Sequence, residues 1–439
     1  MKTSLRIGTL YLMISQIIFL IGSYAIHIFL GRSLGPELYG IFGVVIALVS
    51  IGNLFLTSGI PQAASKYIAE NEENADVIAE KTKKIQLVLS IFIFLLYFSS
   101  ADLISEILND ETLSSFIRIS ALILPLRAFY STYSMFLNGM KHFGKQAKAM
   151  IVYSTTKVIG VFLLVFAGLS LYGAFIGHIL APIIAFFFAK RSLSFKKKKN
   201  EFETKRILKF AIPVTLFSVT LMLLMSIDLL FLKAILGENS KIGFYSAATT
   251  IAKIPYFILQ AFGISLLPAI SKSTSRRNLE LTSRYINDSL RYLLILLIPG
   301  VFLISGTSEG LVRLLYSVRF AEASLPLSVL IFGMGFTTIF AILCTIITAS
   351  GKPKISFTIA LISLIIDVIL NLILIPKYEL LGAALSTSLS SLIGFSLSAL
   401  YVFMNFKALV KIKTFTKIVI SSLAIYLLAF YVVVPEILL

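Results

Sequence analysis

Apolar residues recur in long runs of about 20 positions along the whole chain. Short stretches rich in glycine, proline and charge separate them. A run of that length crosses the roughly 30 Å hydrocarbon core of a bilayer as a helix. Thirteen can be marked, at 7–30, 41–62, 85–105, 113–138, 148–169, 171–189, 207–232, 244–270, 287–306, 323–349, 355–375, 380–404 and 415–434. The first is too long for a signal-peptide core and no convincing cleavage site follows it, so it reads as a retained span. The stretch FLGRSLGPELYGIFG, Phe29 to Gly43, shows what an interruption looks like. Gly35 and Pro36 break the helix between the first two runs, and Arg32 and Glu37 are placed to balance one another at the interface.

Composition agrees with this pattern. Of 439 residues, 58% are hydrophobic and 14% charged, against about 45–50% and about 25% in a soluble domain. The fold expected is therefore an all-α polytopic membrane protein. The single cysteine, Cys344, permits no intrachain disulfide and no cysteine-based metal site.

The net charge of +18 would raise nucleic acid as a partner in a soluble chain. Its distribution points elsewhere. Alternating the loops from the N-terminus puts 29 of the 39 Lys and Arg residues on one side, six on the other and four within spans. Cytoplasmic loops carry such an excess. The expectation is a multi-pass plasma-membrane protein with a cytoplasmic N-terminus and no nucleic-acid partner. The densest basic run, Lys196 to Arg206, reads as an orientation signal and solvated linker, with anionic lipid head groups as the alternative contact.

The chain also repeats itself. Gly144–Gly177 aligns without gaps on Pro353–Ser386 at an offset of 209, Lys145 falling on Lys354 and Gly173-Ala174 on Gly382-Ala383. More loosely, LGPELYGIFGVVIAL from Leu34 corresponds to LGENSKIGFYSAATTIA from Leu236. Spans 1–2 then match 7–8, and 5–6 match 11–12, in the same direction through the membrane. That implies two pseudo-symmetric six-helix lobes: 1–190, then a cytoplasmic linker at 191–206, then 207–404. An extra C-terminal span occupies 405–439. Two parallel lobes around a cleft is the plan of a transporter.

Charges inside spans are costly and usually face a partner or a wet cavity, at about 2.5–3.5 kcal/mol each on insertion scales. Six stand out: Arg118, Arg127, Lys157, Asp228, Lys253 and Asp367. Arg118 lies near a span end and can snorkel. Arg127 is mid-span and follows Pro125, where a helix can kink. Lys157 is mid-span with Tyr153 one turn earlier. Lys253 belongs to a stripe of Ser246, Thr249, Lys253, Tyr256 and Gln260 on one helix face. Asp228 reads either as an ion-pair partner of Lys253 or as a coupling carboxylate. Asp367 with Asn371 reads as helix packing or function, and His27 as a hydrogen-bonded packing residue. Four in-span cations against two carboxylates favour an anionic head group, since phosphate suits Lys and Arg.

No enzyme is expected. Gly139 to Gln146 nearly spells a P-loop, but Gln146 stands where Ser or Thr would hold magnesium and no strand precedes it. The three histidines form no metal pattern, and no catalytic triad or acid pair has a soluble setting.

The stretch LGRSLGPELYGIFGVVIALVSIGNLFLTSGIPQAASKYIAE, Leu30 to Glu70, resembles the N-terminal signature of the polysaccharide-biosynthesis flippases, including the Wzx-type O-antigen flippases, in the superfamily of MATE exporters and lipid II flippases. The blocks SIDLLFLKAILGENSKIGFYSAATTIAKIPY and SGKPKISFTIALISLIIDVILNLILIPKYELLGAALSTSLS resemble the family's span 7–8 and span 10–12 regions. The similarity runs through about residue 404; related chains often have twelve or fourteen spans rather than thirteen. The resemblance implies a flippase for a polyprenyl phosphate or pyrophosphate bearing a glycan. Membrane lipids and membrane enzymes of the glycan pathway would be its partners. It places Arg32, Gly35, Pro36, Glu37 and Gly40 in the family motif. Arg127, Lys157, Lys253, Tyr256 and Gln260 are expected to bind substrate. Asp228, Asp367 and Asn371 are expected to couple Na⁺ or H⁺, with no other cofactor and no metal. The rival expectation is a MATE-like, ion-coupled exporter of small organic cations.

Overall fold

The computed structural model describes residues 5–193, 202–259, 270–271, 273–274, 279–408, 410 and 412–429. Helices account for nearly all of them, and no strand occurs among the described residues. By contacts the chain divides into two units, Met1–Val219 and Thr220–Leu439.

The first unit begins with α1 (Leu5–Thr57), α2 (Gly59–Glu70), α3 (Ala75–Ser99) and the short α4 (Ala101–Ile107). Then follow α5 (Thr112–Ala121), α6 (Ile123–Gly139), α7 (Phe143–Leu164) and α8 (Ser170–Arg191). Helix α9 (Thr204–Leu224) runs on into the second unit. That unit holds α10 (Ile227–Leu236), α11 (Asn239–Ala252), α12 (Leu279–Gly306), α13 (Ser308–Tyr316), α14 (Ser324–Ala349), α15 (Pro353–Phe406) and α16 (Ile412–Leu428).

Nine helical stretches among the described residues are long and apolar enough to cross a membrane. Three of them, of 61, 49 and 54 residues, have the length of two crossings each. Each carries a break at its centre. Gly35 sits at φ 78°, ψ 176° within α1, and Pro36 follows it. Gly168, at φ 88°, and Ser170 separate α7 from α8. Glu379 breaks α15, three residues after Pro376. The paired runs of the sequence are thus hairpins whose two arms are continuous except at a short break. Counting each as two crossings gives twelve, and α16 begins the thirteenth run.

The internal repeat has a backbone counterpart. The offset of 209 carries Ser170 onto Glu379, and the two share an unusual conformation: φ 47°, ψ −133° and φ 49°, ψ −123°. A positive φ in a residue with a side chain costs on the order of 1–3 kcal/mol and persists only where its surroundings enforce it. The Glu379 carboxylate is held by Lys241 Nζ at 2.8 Å. The same offset carries Gly173 onto Gly382. A Cβ on either would press on the backbone of the arm before it, at Leu164 and Leu374.

Each unit packs around small residues, as helices do when lipid offers no hydrophobic gain for associating. In the first, Gly160 meets Gly177 between α7 and α8, and Gly22 of α1 lies against Ser154 and Val158 of α7. In the second, the buried face of α15 includes Gly382, Ser386, Thr387, Ser390 and Gly394, and Gly333 of α14 meets Ser388. Large apolar side chains such as Phe92, Phe166, Phe187, Leu296 and Leu372 are exposed, as a lipid-facing surface requires.

Close approach at Gly382 predicts an asymmetry between two small changes. Gly382→Ala should destabilise by about 1–3 kcal/mol through overpacking. Gly300→Ala, at a position with no neighbouring atom within 4 Å, should be neutral or stabilise by up to about 1 kcal/mol from helix propensity. Thermal unfolding in detergent measures both; equal losses would contradict the packing described.

Candidate functional site

Two groups of buried polar side chains stand out, one in each unit, and they differ in sign.

In the first unit the helix of span 4 is interrupted between α5 and α6, three residues before Pro125. Arg127 follows within the first turns of α6, half-buried. Its Nη1 donates to Tyr153 Oη of α7 at 3.0 Å, and its guanidinium lies 5.6 Å from the centre of the same ring. Tyr153 is stacked on Tyr130 at 4.9 Å with planes 3° apart, and Phe19 of α1 lies 6.2 Å away. One turn after Tyr153, Lys157 is only 6% exposed. Its Nζ donates to Ser23 Oγ of α1 at 2.9 Å and faces the rings of Phe19 at 5.0 Å and Tyr153 at 5.8 Å. The glycine contact at Gly22 brings α1 close enough for that bond. Neither Arg127 nor Lys157 has a carboxylate partner among the described residues. Nearby on α1, His27 shares a hydrogen bond with Tyr39 Oη at 3.0 Å, and His178 Nδ1 of α8 donates to Ala174 O at 2.9 Å. A cation in low dielectric needs compensation. Here hydroxyls and ring faces supply part of it, and the balance is open to an anion.

The second unit holds the acids. Span 7 is interrupted between α9 and α10, and Asp228 occupies the first turn of α10, 1% exposed. Oδ2 accepts from Tyr245 Oη at 2.5 Å and from Thr387 Oγ1 at 2.9 Å, while Oδ1 accepts from Leu229 N at 2.8 Å. Asp367 of α15 is fully buried; its Oδ1 accepts from Ser390 Oγ at 2.9 Å. Asn371 Nδ2 donates to Asp367 O at 2.9 Å. Asp367 Oδ2 and Asn371 Oδ1 are buried without a hydrogen-bond partner, as are Ser246 Oγ and Thr249 Oγ1 of α11. Buried acceptors of this kind are costly unless something occupies them. Among the described residues no group of three or more His, Cys, Asp or Glu is placed to hold a metal ion. Two carboxylates with amide and hydroxyl oxygens suit a small hard cation or a proton instead.

The sequence-marked residues fall out as follows. Arg127 and Lys157 meet around Tyr153. Asp228 and Asp367 are joined through α15, since Thr387 bonds one and Ser390 the other. Lys253, half-buried at the end of α11 just before Pro255, forms no ion pair with Asp228; Tyr245 and Thr387 take that carboxylate. Ser246, Thr249 and Tyr256 are buried, so this part of the polar stripe faces protein. Gln260 lies outside the described residues. In the family motif Gly35 forms the break, Pro36 follows it, Gly40 is buried, and Arg32 and Glu37 are exposed. Arg118 pairs with Asp102 at 2.6 Å in an exposed setting, more than a snorkelling side chain would need. Ser23 belongs to the polar face of span 1 that the sequence marks with Gln16 and His27, whereas sequence reasoning missed Tyr245, Thr387 and Ser390. Their signal was hydroxyl residues recurring at helical spacing in apolar runs, and only their charged partners made them visible.

The polysaccharide biosynthesis protein family matches residues 5–274, and the MatE family matches 213–373. An uncharacterized membrane protein of Methanocaldococcus jannaschii is 26% identical over 89% of this chain and 95% of its own length. The probable low-salt glycan biosynthesis flippase Agl15 of Haloferax volcanii is 24% identical over 85% of this chain and 78% of its own. The lipid II flippase MurJ of Bacillus subtilis is 23% identical over 84% and 77%. Among solved structures, lipid II flippase MurJ in an inward closed conformation matches with a TM-score of 0.76 at 20% identity, covering 96% of this chain and 92% of that one. An inward-facing multidrug resistance MATE family transporter of the MOP superfamily matches with a TM-score of 0.77 at 16% identity, covering 89% and 94%. These likenesses give a polytopic all-α fold shared with MurJ and MATE transporters. With more than half its length matched, the chain belongs to the polysaccharide biosynthesis protein family.

Proposed function

We propose that the chain is a flippase that carries a polyprenyl-(pyro)phosphate-linked oligosaccharide from the cytoplasmic to the outer leaflet by alternating access, with its N-terminus in the cytoplasm. The observation that carries this reading is the pair of buried Lys157 and half-buried Arg127 in the first unit, with no carboxylate partner among the described residues. A phosphate or pyrophosphate supplies the missing charge. Charge-assisted hydrogen bonds from guanidinium and ammonium to phosphate oxygens are short and strong, and Tyr153 and Ser23 hold the two donors in place. Lys253 adds a cation in the second unit. The relatives named as glycan and lipid II flippases support the substrate class; the polyprenyl chain stays in lipid while the charged head is moved.

The acid cluster is the coupling site of this reading. Asp367 Oδ2 and Asn371 Oδ1 are the open oxygens, and Asp228 is the fixed neighbour whose charge favours a cation or a proton there. Moving an anionic head outward while Na⁺ or H⁺ moves inward through these oxygens links transport to the ion gradient.

A MATE-like exporter of organic cations has the MatE match and the shared fold in its favour. Its substrate would need acid and aromatic groups without competing cations. The first unit offers aromatic faces already covered by Arg127 and Lys157. Efflux and drug-resistance assays on expressing cells should show no gain; strong efflux of organic cations would favour the exporter.

Two outcomes follow for vesicles carrying purified protein and a fluorescent lipid-linked oligosaccharide. Arg127→Ala and Lys157→Ala should each slow flipping by roughly 10–100-fold, the value of about 1.5–3 kcal/mol for a hydrogen bond to a charged group, and the double variant should abolish it at normal expression. Unchanged flipping would remove the site. Asp367→Asn should leave substrate binding within about twofold while making the flipping rate insensitive to imposed Na⁺ or pH gradients; a gradient response equal to wild type would remove the coupling assignment.

A further inference from the structure

Outside these two clusters, α2 and the start of α9 build a ladder of cations and rings within the first unit. Arg206 lies over Tyr67 at 5.3 Å and over Phe202 at 5.4 Å. Lys66 lies over Phe210 at 4.5 Å and near Tyr67 at 5.3 Å. The rings are anchored beneath. Phe202 belongs to a buried cluster with Ile60, Ile68, Phe136, Ile207 and Ala211, and Tyr67 and Phe210 pack against it. Tyr67 Oη donates to Arg206 O at 3.1 Å, fixing α9 to α2. The cations themselves are exposed, with Lys205 and Lys209 exposed beside them.

The acceptors around this ladder are few. Glu70 pairs with Lys66 at 3.9 Å one turn along α2, and exposed Glu203 makes no ion pair among the described residues. Arg206 faces no carboxylate among them. A guanidinium stacked on ring faces keeps its planar N–H edge free, which is the geometry that takes two phosphate oxygens at once. The ladder lies on the face with the Lys and Arg excess, where anionic lipids of the inner leaflet concentrate. Aromatic rings half-sunk at that depth are at home in the interfacial region.

We propose that Lys66 and Arg206, set on Tyr67, Phe202 and Phe210, form a binding site for the phosphate head group of an anionic phospholipid in the inner leaflet. The lipid phosphate bridges the two cations while its acyl chains lie along the apolar surface below. Occupancy ties α2 to the first turn of α9, the point at which the chain enters its second half. This site shares no residue with the transport clusters, so the inference stands apart from the proposed substrate.

The test uses the full chain, purified from nanodiscs of phosphatidylcholine and phosphatidylglycerol, with retained lipid counted by native mass spectrometry. Wild type should retain phosphatidylglycerol at least fivefold over phosphatidylcholine. K66Q/R206Q should lose that preference. The control K84Q/R284Q removes two other exposed cations, each already paired, with Glu80 at 2.8 Å and Asp288 at 3.9 Å, and should keep it. Arg206→Lys keeps the charge without the planar edge and should retain an intermediate amount; it also serves if the double variant folds poorly. Equal retention of the two lipids by wild type, full retention by K66Q/R206Q, or an equal loss in the control would each overturn the proposal.

Discussion

A charge held in hydrocarbon must be answered by something, and this chain answers its buried charges differently in its two halves. In the first, Arg127 and Lys157 have hydroxyls and ring faces but no carboxylate partner among the described residues. In the second, Asp228 is saturated by Tyr245 and Thr387, while Asp367 and Asn371 each keep an oxygen without a partner. An unanswered cation calls for an anion, and unanswered oxygens call for a cation or proton. The division of labour proposed for transport rests on that difference.

The difference is imposed on a repeated framework. The 209-residue offset that superposes Ser170 on Glu379 places Lys157 on Ile366, one residue from Asp367. Each half also pairs a titratable side chain before a hairpin break with a tyrosine after it: His27 with Tyr39 around Gly35, and Asp228 with Tyr245 around Gly237. Broken helices expose backbone and side-chain polar groups at depths where a continuous helix would hide them. Here the interruptions before Arg127, Asp228 and Pro255 fall beside the functional residues.

Much of the fold was legible because a run of about 20 apolar residues is a strong signal. The hairpin break at Gly35 and Pro36 was legible for the same physical reason that these residues break helices. Glu379 was not, since nothing in its residue type favours positive φ and its conformation depends on the hairpin around it. The charged site residues stood out against hydrocarbon. Tyr245, Thr387 and Ser390 did not, because a hydroxyl in an apolar helix can satisfy itself on a carbonyl one turn back, as Thr337, Thr338 and Ser386 do. Sequence weighed an Asp228–Lys253 ion pair on proximity in the hairpin; the hydroxyl partners came from α11 and a helix 159 residues away. Arg118 shows the same limit, since its partner Asp102 lies across a helical turn with no periodic relation to it.

The most direct test of the account is a structure of the protein with a polyprenyl pyrophosphate bound, determined by cryo-electron microscopy in lipid nanodiscs. Phosphate density within hydrogen-bonding distance of Arg127 and Lys157 is the predicted result. Phosphate density away from both side chains, with Arg127 still on Tyr153 and Lys157 still on Ser23, would contradict it.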